Sequence, residues 1–138
     1  NSGDNDCLIV AGNNPDYIID HPRIFYVGNL SIKELYTVYQ LSTYFLHLAY
    51  LDHCPNVVID ARSFGCKVIC SSSGGTKEIA GSNAIVVREE QWDYSFIAQT
   101  TPPDLCFDAV DSNPFSSEIS MVKVAKKYHN FIKGSNSV

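Results

Sequence analysis

No apolar run in the 138 residues is long enough to span a bilayer, which takes roughly 18 to 20 residues. The longest, Tyr44 to Leu51, is short and carries His47. A basic block is missing too. The formal net charge is −5, from 10 Lys and Arg against 15 Asp and Glu, which makes nonspecific nucleic-acid binding a poor reading. There is no CxxC. The five cysteines, Cys7, Cys54, Cys66, Cys70 and Cys106, are odd in number, and Cys66 and Cys70 have three residues between them. Zinc usually takes closer pairs, so the pattern reads as buried free thiols in a reducing compartment, with a cytoplasmic location and no metal expected. Internal repeats and low-complexity segments are absent, and the sequon Asn29-Leu30-Ser31 is a match of the kind chance supplies. The opening Asn1-Ser2-Gly3-Asp4 has neither a signal-peptide pattern nor an initiating methionine, which predicts a processed chain or a piece cut from something longer.

What is present is an ordinary globular composition, 45% apolar and 18% charged. The length suits one domain over 1–138, with a core that needs no disulfide staples. That excludes a disulfide miniprotein, a coiled coil and a disordered tail.

Short apolar runs alternate with amphipathic stretches. Residues 7–11 read as a buried strand ending at Gly12, followed by the turn cluster Asn13-Asn14-Pro15-Asp16. Residues 24–27 read as a second strand closed by Gly28. Ser31-Ile32-Lys33-Glu34 is a capping box, and Leu35, Val38, Tyr39 and Leu41 behind it recur at helical spacing. A third strand is expected over 44–48. Pro55 opens a helix running to Phe64, which Gly65 stops. Strands are expected again at 68–70 and 84–87, with the loop Ser71 to Gly75 and a short helix 76–80 between them. The alternation implies an α/β fold, a Rossmann-like parallel sheet with helices on its faces. After Trp92 the pattern weakens, with breakers at Thr101-Pro102-Pro103 and Ser112-Asn113-Pro114. A closing helix over about 116–133 is expected to bury Ile119, Val122, Ala125, Tyr128 and Phe131 or Ile132. Its Lys123, Lys126, Lys127 and Lys133 then form a solvated face.

Open parallel sheets bind ligands beyond the carboxyl ends of their strands. Gly12-Asn13-Asn14, Asp52-His53-Cys54 and Ser72 to Glu78 fall there. Asp60 lies inside the helix that follows Asp52, bordering an apolar stripe of Val57, Ala61 and Phe64. A carboxylate in that position needs partners, either backbone donors near a neighbouring helix start or the hydroxyls of a ligand. In Ser71-Ser72-Ser73-Gly74-Gly75-Thr76-Lys77-Glu78 a strand feeds a small-residue loop and then a helix N-terminus. Its free N–H groups suit an anion, and two glycines let a phosphate come close. Lys77 suits a phosphate partner, and Glu78 suits either a helix cap or hydroxyl acceptance. His21, His47 and His129 read as ordinary turn, strand and surface residues. Trp92, Tyr94 and Phe96 read as the apolar underside of a loop.

In order and spacing, Asp52-His53-Cys54-Pro55-Asn56-Val57-Val58-Ile59-Asp60-Ala61, Phe64-Gly65-Cys66-Lys67-Val68-Ile69-Cys70-Ser71 and Gly74-Gly75-Thr76-Lys77-Glu78-Ile79 resemble the signature of group 1 (family 4) retaining glycosyltransferases. That signature has two glutamates with seven residues between them, then a Gly step, a strand and a Gly-Gly-x-x-Glu turn. The resemblance spans roughly residues 7 to 88. It implies the C-terminal, nucleotide-sugar-binding half of a B-type glycosyltransferase lacking its first strand. Asp52 would meet the hydroxyls of the donor sugar and Asp60 those of the ribose. Gly74, Gly75, Thr76, Lys77 and Glu78 would lie at the sugar–diphosphate end, and Leu30 near the nucleobase. Gly12, His53, Pro55 and Asn56 complete the implied donor site. The implied substrate is a nucleotide diphosphate sugar, with no cofactor and no metal. The implied partner is an N-terminal acceptor domain of the same parent, any peripheral membrane association belonging to that parent.

The sequence departs from the family pattern in three ways. Both glutamates are aspartates, one methylene shorter each. His53 stands where the family has Gly. The strand and loop that supply the Arg and Lys for the diphosphate are not found before residue 7. Retaining transfer needs positive charge on the leaving diphosphate and a held acceptor, so this chain is expected to bind nucleotide sugar weakly and not to turn over alone. Two rival readings are a nucleotide-sugar 2-epimerase half-domain and a degenerate binding module. A receiver-like regulator fails for want of an early acidic cluster.

Overall fold

The computed structural model describes residues 6–13, 15–49, 51–89 and 103–135. Asn14 of the first turn, Thr101 and Pro102, and the Trp92, Tyr94 and Phe96 cluster lie outside them. The chain forms two compact units, residues 1–38 and 39–138.

In the first unit, strands β1 (Leu8–Ala11) and β2 (Ile24–Gly28) pair in parallel, Leu8 with Ile24 and Val10 with Tyr26. The strand expected to be buried is not: Leu8 and Ile9 are 40% exposed. Helix α1 (Ile32–Leu41) begins on the capping box. Ser31 N–H donates to Glu34 Oε2 at 2.8 Å, and Glu34 N–H donates to Ser31 Oγ at 3.4 Å. These bonds to the ionised form hold the Glu34 carboxyl below its ordinary pKa.

The second unit is built on a four-stranded sheet in the order β3 (Tyr44–His47), β4 (Lys67–Ser71), β5 (Ile85–Glu89), β6 (Leu105–Ser112). The first three are parallel, with Phe45 beside Val68, His47 beside Cys70 and Cys70 beside Val86. Strand β6, which the sequence reading left out, runs antiparallel to β5. It fills the stretch between Pro103 and Pro114 that reads as broken chain, and its outer face is wet, with Phe107 and Val110 exposed. Around a bulge in this pairing, Arg88 grips Asp111 with both prongs, at 2.6 and 2.7 Å. The bonded Arg88 holds the Asp111 carboxyl below its usual range.

Helix α2 (Asn56–Ser63) starts after Pro55 and ends in a Schellman motif. Gly65 N–H reaches Arg62 O and Cys66 N–H reaches Ala61 O, with Gly65 at φ +91°. Its buried face is Pro55, Val58 and Ala61, one residue round from the expected stripe; Val57 is exposed. The core is Val58, Val68, Cys70, Ala80, Ala84 and Val86, with Phe45 and Ile79 packed against it. Each fully buried valine contributes of order 2 kcal/mol. Tyr39 adds an edge-on contact to Phe45, ring centroids 5.5 Å apart.

Helix α3 (Thr76–Ile79) is a single turn whose C-terminal carbonyls are met by side chains from elsewhere. Arg62 donates to Ile79 O and, at 2.8 Å, to Ser117 Oγ. Buried Asn113 donates to Lys77 O at 2.7 Å and Gly81 O at 2.9 Å. Helix α4 (Met121–Ser135) starts later than expected and passes through Gly134. It does not bury the predicted stripe: Val122, Tyr128, Phe131 and Ile132 are 59–75% exposed. Helical periodicity reports that a face is apolar, not that a neighbour covers it. Among the described residues, no helix is long and apolar enough to cross a membrane.

Candidate functional site

Asp52 lies just beyond the carboxyl end of β3, and the Ser72–Gly75 loop just beyond that of β4. Because the two strands are adjacent and parallel, their following loops are neighbours, and main-chain contacts lock them together. Gly75 N–H donates to Asp52 O at 2.9 Å. A Cβ on Gly74, itself at φ +68°, would stand 2.6 Å from Asp52 O, and one on Gly75 would stand 2.0 Å from His53 O. By sequence alone, the two glycines suit the approach of a phosphate. In the structure their first requirement is the approach of the Asp52-His53 backbone. Gly75 N–H is thereby already used, and α3 is too short to supply much of a dipole.

The Asp52 carboxylate has partners on both oxygens. His47 Nε2–H donates to Oδ2 at 3.2 Å, and Cys54 N–H donates to Oδ1 at 3.3 Å. The His47 side chain is 14% exposed against 36% for Asp52, so the imidazole lies sheltered behind the acid. His47 is the residue that the sequence reading passed over as an ordinary strand histidine. The available signal was a histidine closing a strand five residues before an acid at the ligand end of the sheet.

The serine loop is tied to the neighbouring strand. Ser72 N–H donates to Val87 O at 2.9 Å, and Ser72 Oγ accepts from Glu89 N–H at 3.2 Å. Ser73 Oγ donates to Glu89 Oε1 at 2.8 Å. Thr76 is fully buried and its Oγ1 has no hydrogen-bond partner among the described residues. Lys77 is half-buried, and its charge draws the Cys70 thiol downward against a larger upward push from burial, which leaves that pKa at about 11. Glu78 is exposed, and its N–H donates to Gly75 O.

Of the remaining candidates, buried Pro55 and exposed Asn56 open α2, and His53 is exposed. Asp60 sits half-buried a turn further along α2. Gly12 and Leu30 belong to the first unit. There the loops after β1 and β2 are joined by Gly12 N–H to Gly28 O at 2.8 Å and Asn29 Nδ2 to Asn13 Oδ1 at 3.0 Å. No three His, Cys, Asp or Glu side chains gather to hold a metal ion among the described residues.

A parallel sheet flanked by helices, with polar loops crowded at the carboxyl ends of its strands, is the α/β architecture of the Rossmann-like, B-type transferase fold. The family model described as glycosyl transferases group 1 matches residues 9–95, and the chain belongs to that family. Sugar transfer from a nucleotide-sugar donor to an acceptor is the activity the family carries. Neither the curated proteins nor the solved structures contain a match to the chain.

Proposed function

We propose that this chain is the donor-binding half of a retaining, family 4 type hexosyltransferase. It holds a nucleotide diphosphate sugar, with no metal, while an N-terminal domain of the same parent protein holds the acceptor. Asp52 meets the hydroxyls of the transferred sugar and Asp60 those of the ribose. The Gly74-Gly75 bend and Lys77 lie along the diphosphate. The observation that carries this reading is the bond from Gly75 N–H to Asp52 O. It makes the loop bearing the first acid and the loop bearing the diglycine one surface at the ligand end of two parallel strands.

Stabilising the leaving diphosphate and positioning an acceptor are the two largest requirements of such a transfer. With Lys77 as the single cation of the proposed diphosphate site, the chain by itself binds weakly and does not turn over. Calorimetry and ligand-detected NMR with UDP, GDP, ADP and their hexose conjugates test this. Binding of one nucleotide series up to millimolar ligand is expected, without acceptor-dependent nucleotide release. Acceptor-dependent transfer by the chain alone would overturn the inactivity. Silence toward every nucleotide would leave a non-catalytic module.

A further inference from the structure

We propose that His47 is a positioning residue. It holds the Asp52 carboxylate from behind, so that the acid meets the sugar portion of a nucleotide-sugar donor in one fixed orientation. This rests on the reading of Asp52 as the donor-sugar contact.

The geometry starts in the strand. His47 is the last residue of β3, beside Cys70 in the register. Its ring stacks on Phe45, with centroids 6.3 Å apart and planes 17° apart, and Phe45 is packed against the core. The imidazole plane is therefore set by the strand and the core. The chain then folds back on itself. Leu51 has φ +53°, the only non-glycine at positive φ among the described residues, a conformation a branched side chain adopts at a cost. The reversal returns Asp52 to within 3.2 Å of His47 Nε2.

On its other side the acid is anchored by its own main chain. Asp52 O accepts from Gly75 N–H, and Oδ1 accepts from Cys54 N–H. Asp52 is thus held at its carbonyl and at both carboxylate oxygens. Yet it is the more open partner, while the imidazole stays sheltered. A carboxylate accepts more than one hydrogen bond per oxygen, so the anchors leave room for ligand hydroxyls. Fixing the acid before the ligand arrives removes an ordering cost that a free side chain would meet on binding. For a short acid, which cannot reach far to find a hydroxyl, placement matters more than flexibility.

The test separates a positioning role from a structural one by asking which part of the ligand feels the change. The 138-residue chain and its His47→Leu and His47→Gln variants are titrated with UDP against UDP-glucose, GDP against GDP-mannose and ADP against ADP-glucose, and thermal unfolding confirms that each variant folds. Glutamine keeps an N–H donor at about the reach of Nε2; leucine keeps bulk and no donor. In the responding series, His47→Leu is expected to weaken the sugar nucleotide about tenfold while leaving the matching diphosphate unchanged, the size of one lost bond to a charged acceptor. His47→Gln is expected to keep the affinity within about threefold. Equal weakening of diphosphate and sugar nucleotide, or no change in either, would overturn the positioning role. Failure of the unaltered chain to bind any nucleotide, or to prefer the sugar conjugate over the diphosphate, would instead remove the reading of Asp52 and the role of His47 with it.

Discussion

Gly75 lies so close against His53 that a Cβ built on it would stand 2.0 Å from the His53 carbonyl oxygen. The atom in the way is backbone, so no flexible side chain can swing aside. Gly75→Ala must push apart the two loops that form the candidate site, breaking the bond from Gly75 N–H to Asp52 O. Overpacking of this kind costs about 2 kcal/mol or more, which for a domain of this size lowers the melting temperature by roughly 5 to 10 °C. Thermal unfolding followed by circular dichroism checks it. An unchanged melting temperature would mean that the loops separate freely and that the contact defines nothing.

The two aspartates are expected to act on different parts of one ligand. Asp60→Asn should weaken nucleoside diphosphate and nucleotide sugar alike, about tenfold, because the ribose is common to both. Asp52→Asn should weaken the sugar conjugate alone. Isothermal titration with the matched pair of ligands measures both. If both substitutions lowered diphosphate binding equally, the division of labour between sugar and ribose would be wrong.

Asn113 ties the end of β6 to the helix behind the diglycine loop. It is 4% exposed, donates to Lys77 O and Gly81 O, and accepts from Phe115 N–H. Asn113→Ala leaves two carbonyls without these donors and should cost about 1 to 3 kcal/mol in urea unfolding. Arg62, whose burial pulls its pKa down against the pull of Glu118, holds Ile79 O and Ser117 from the other side. Substituting both should cost less than the sum of the single changes if they secure the same turn. Strict additivity would separate them.

Signals within one turn of chain were legible in the sequence. The Ser31–Glu34 capping box and the Gly65 helix stop appear in the structure as expected, because each is decided by residues three to five apart. The parallel order of β3, β4 and β5 was legible from apolar runs separated by helices. What was hidden depends on pairing across the chain. Strand β6 exists because β5 offers it an edge, and its own alternation is too wet to announce it. The purpose of Gly74 and Gly75 was half legible: small residues were evidently required, but the neighbour requiring them, Asp52-His53, is over twenty residues away. His47 was hidden for the same reason, its role being made by the reversal at Leu51.

Cys70 carries a pH dependence whose sign follows from its place in β4. The thiol is fully buried, and burial raises its pKa from the ordinary 9.0 to about 11, the charge of Lys77 opposing the rise without cancelling it. Below pH 9 the thiol is protonated in folded and unfolded chains alike, and its contribution is fully present. Between pH 9 and 11 the unfolded chain releases the proton while the folded chain keeps it, so stability falls as the pH rises, by of order 2 kcal/mol across the window. Other groups titrate there too, so the comparison is with Cys70→Ala. That variant should be less stable at pH 8 through lost packing, yet lose less between pH 9 and 11. The same burial protects the thiol from alkylation. In the native chain, exposed Cys7 and Cys54 should react with iodoacetamide at pH 8 while Cys66 and Cys70 do not. Parallel unfolding curves for the two proteins across pH 9 to 11, or ready labelling of Cys70 in the folded chain, would mean that β4 does not seal its thiol into the core.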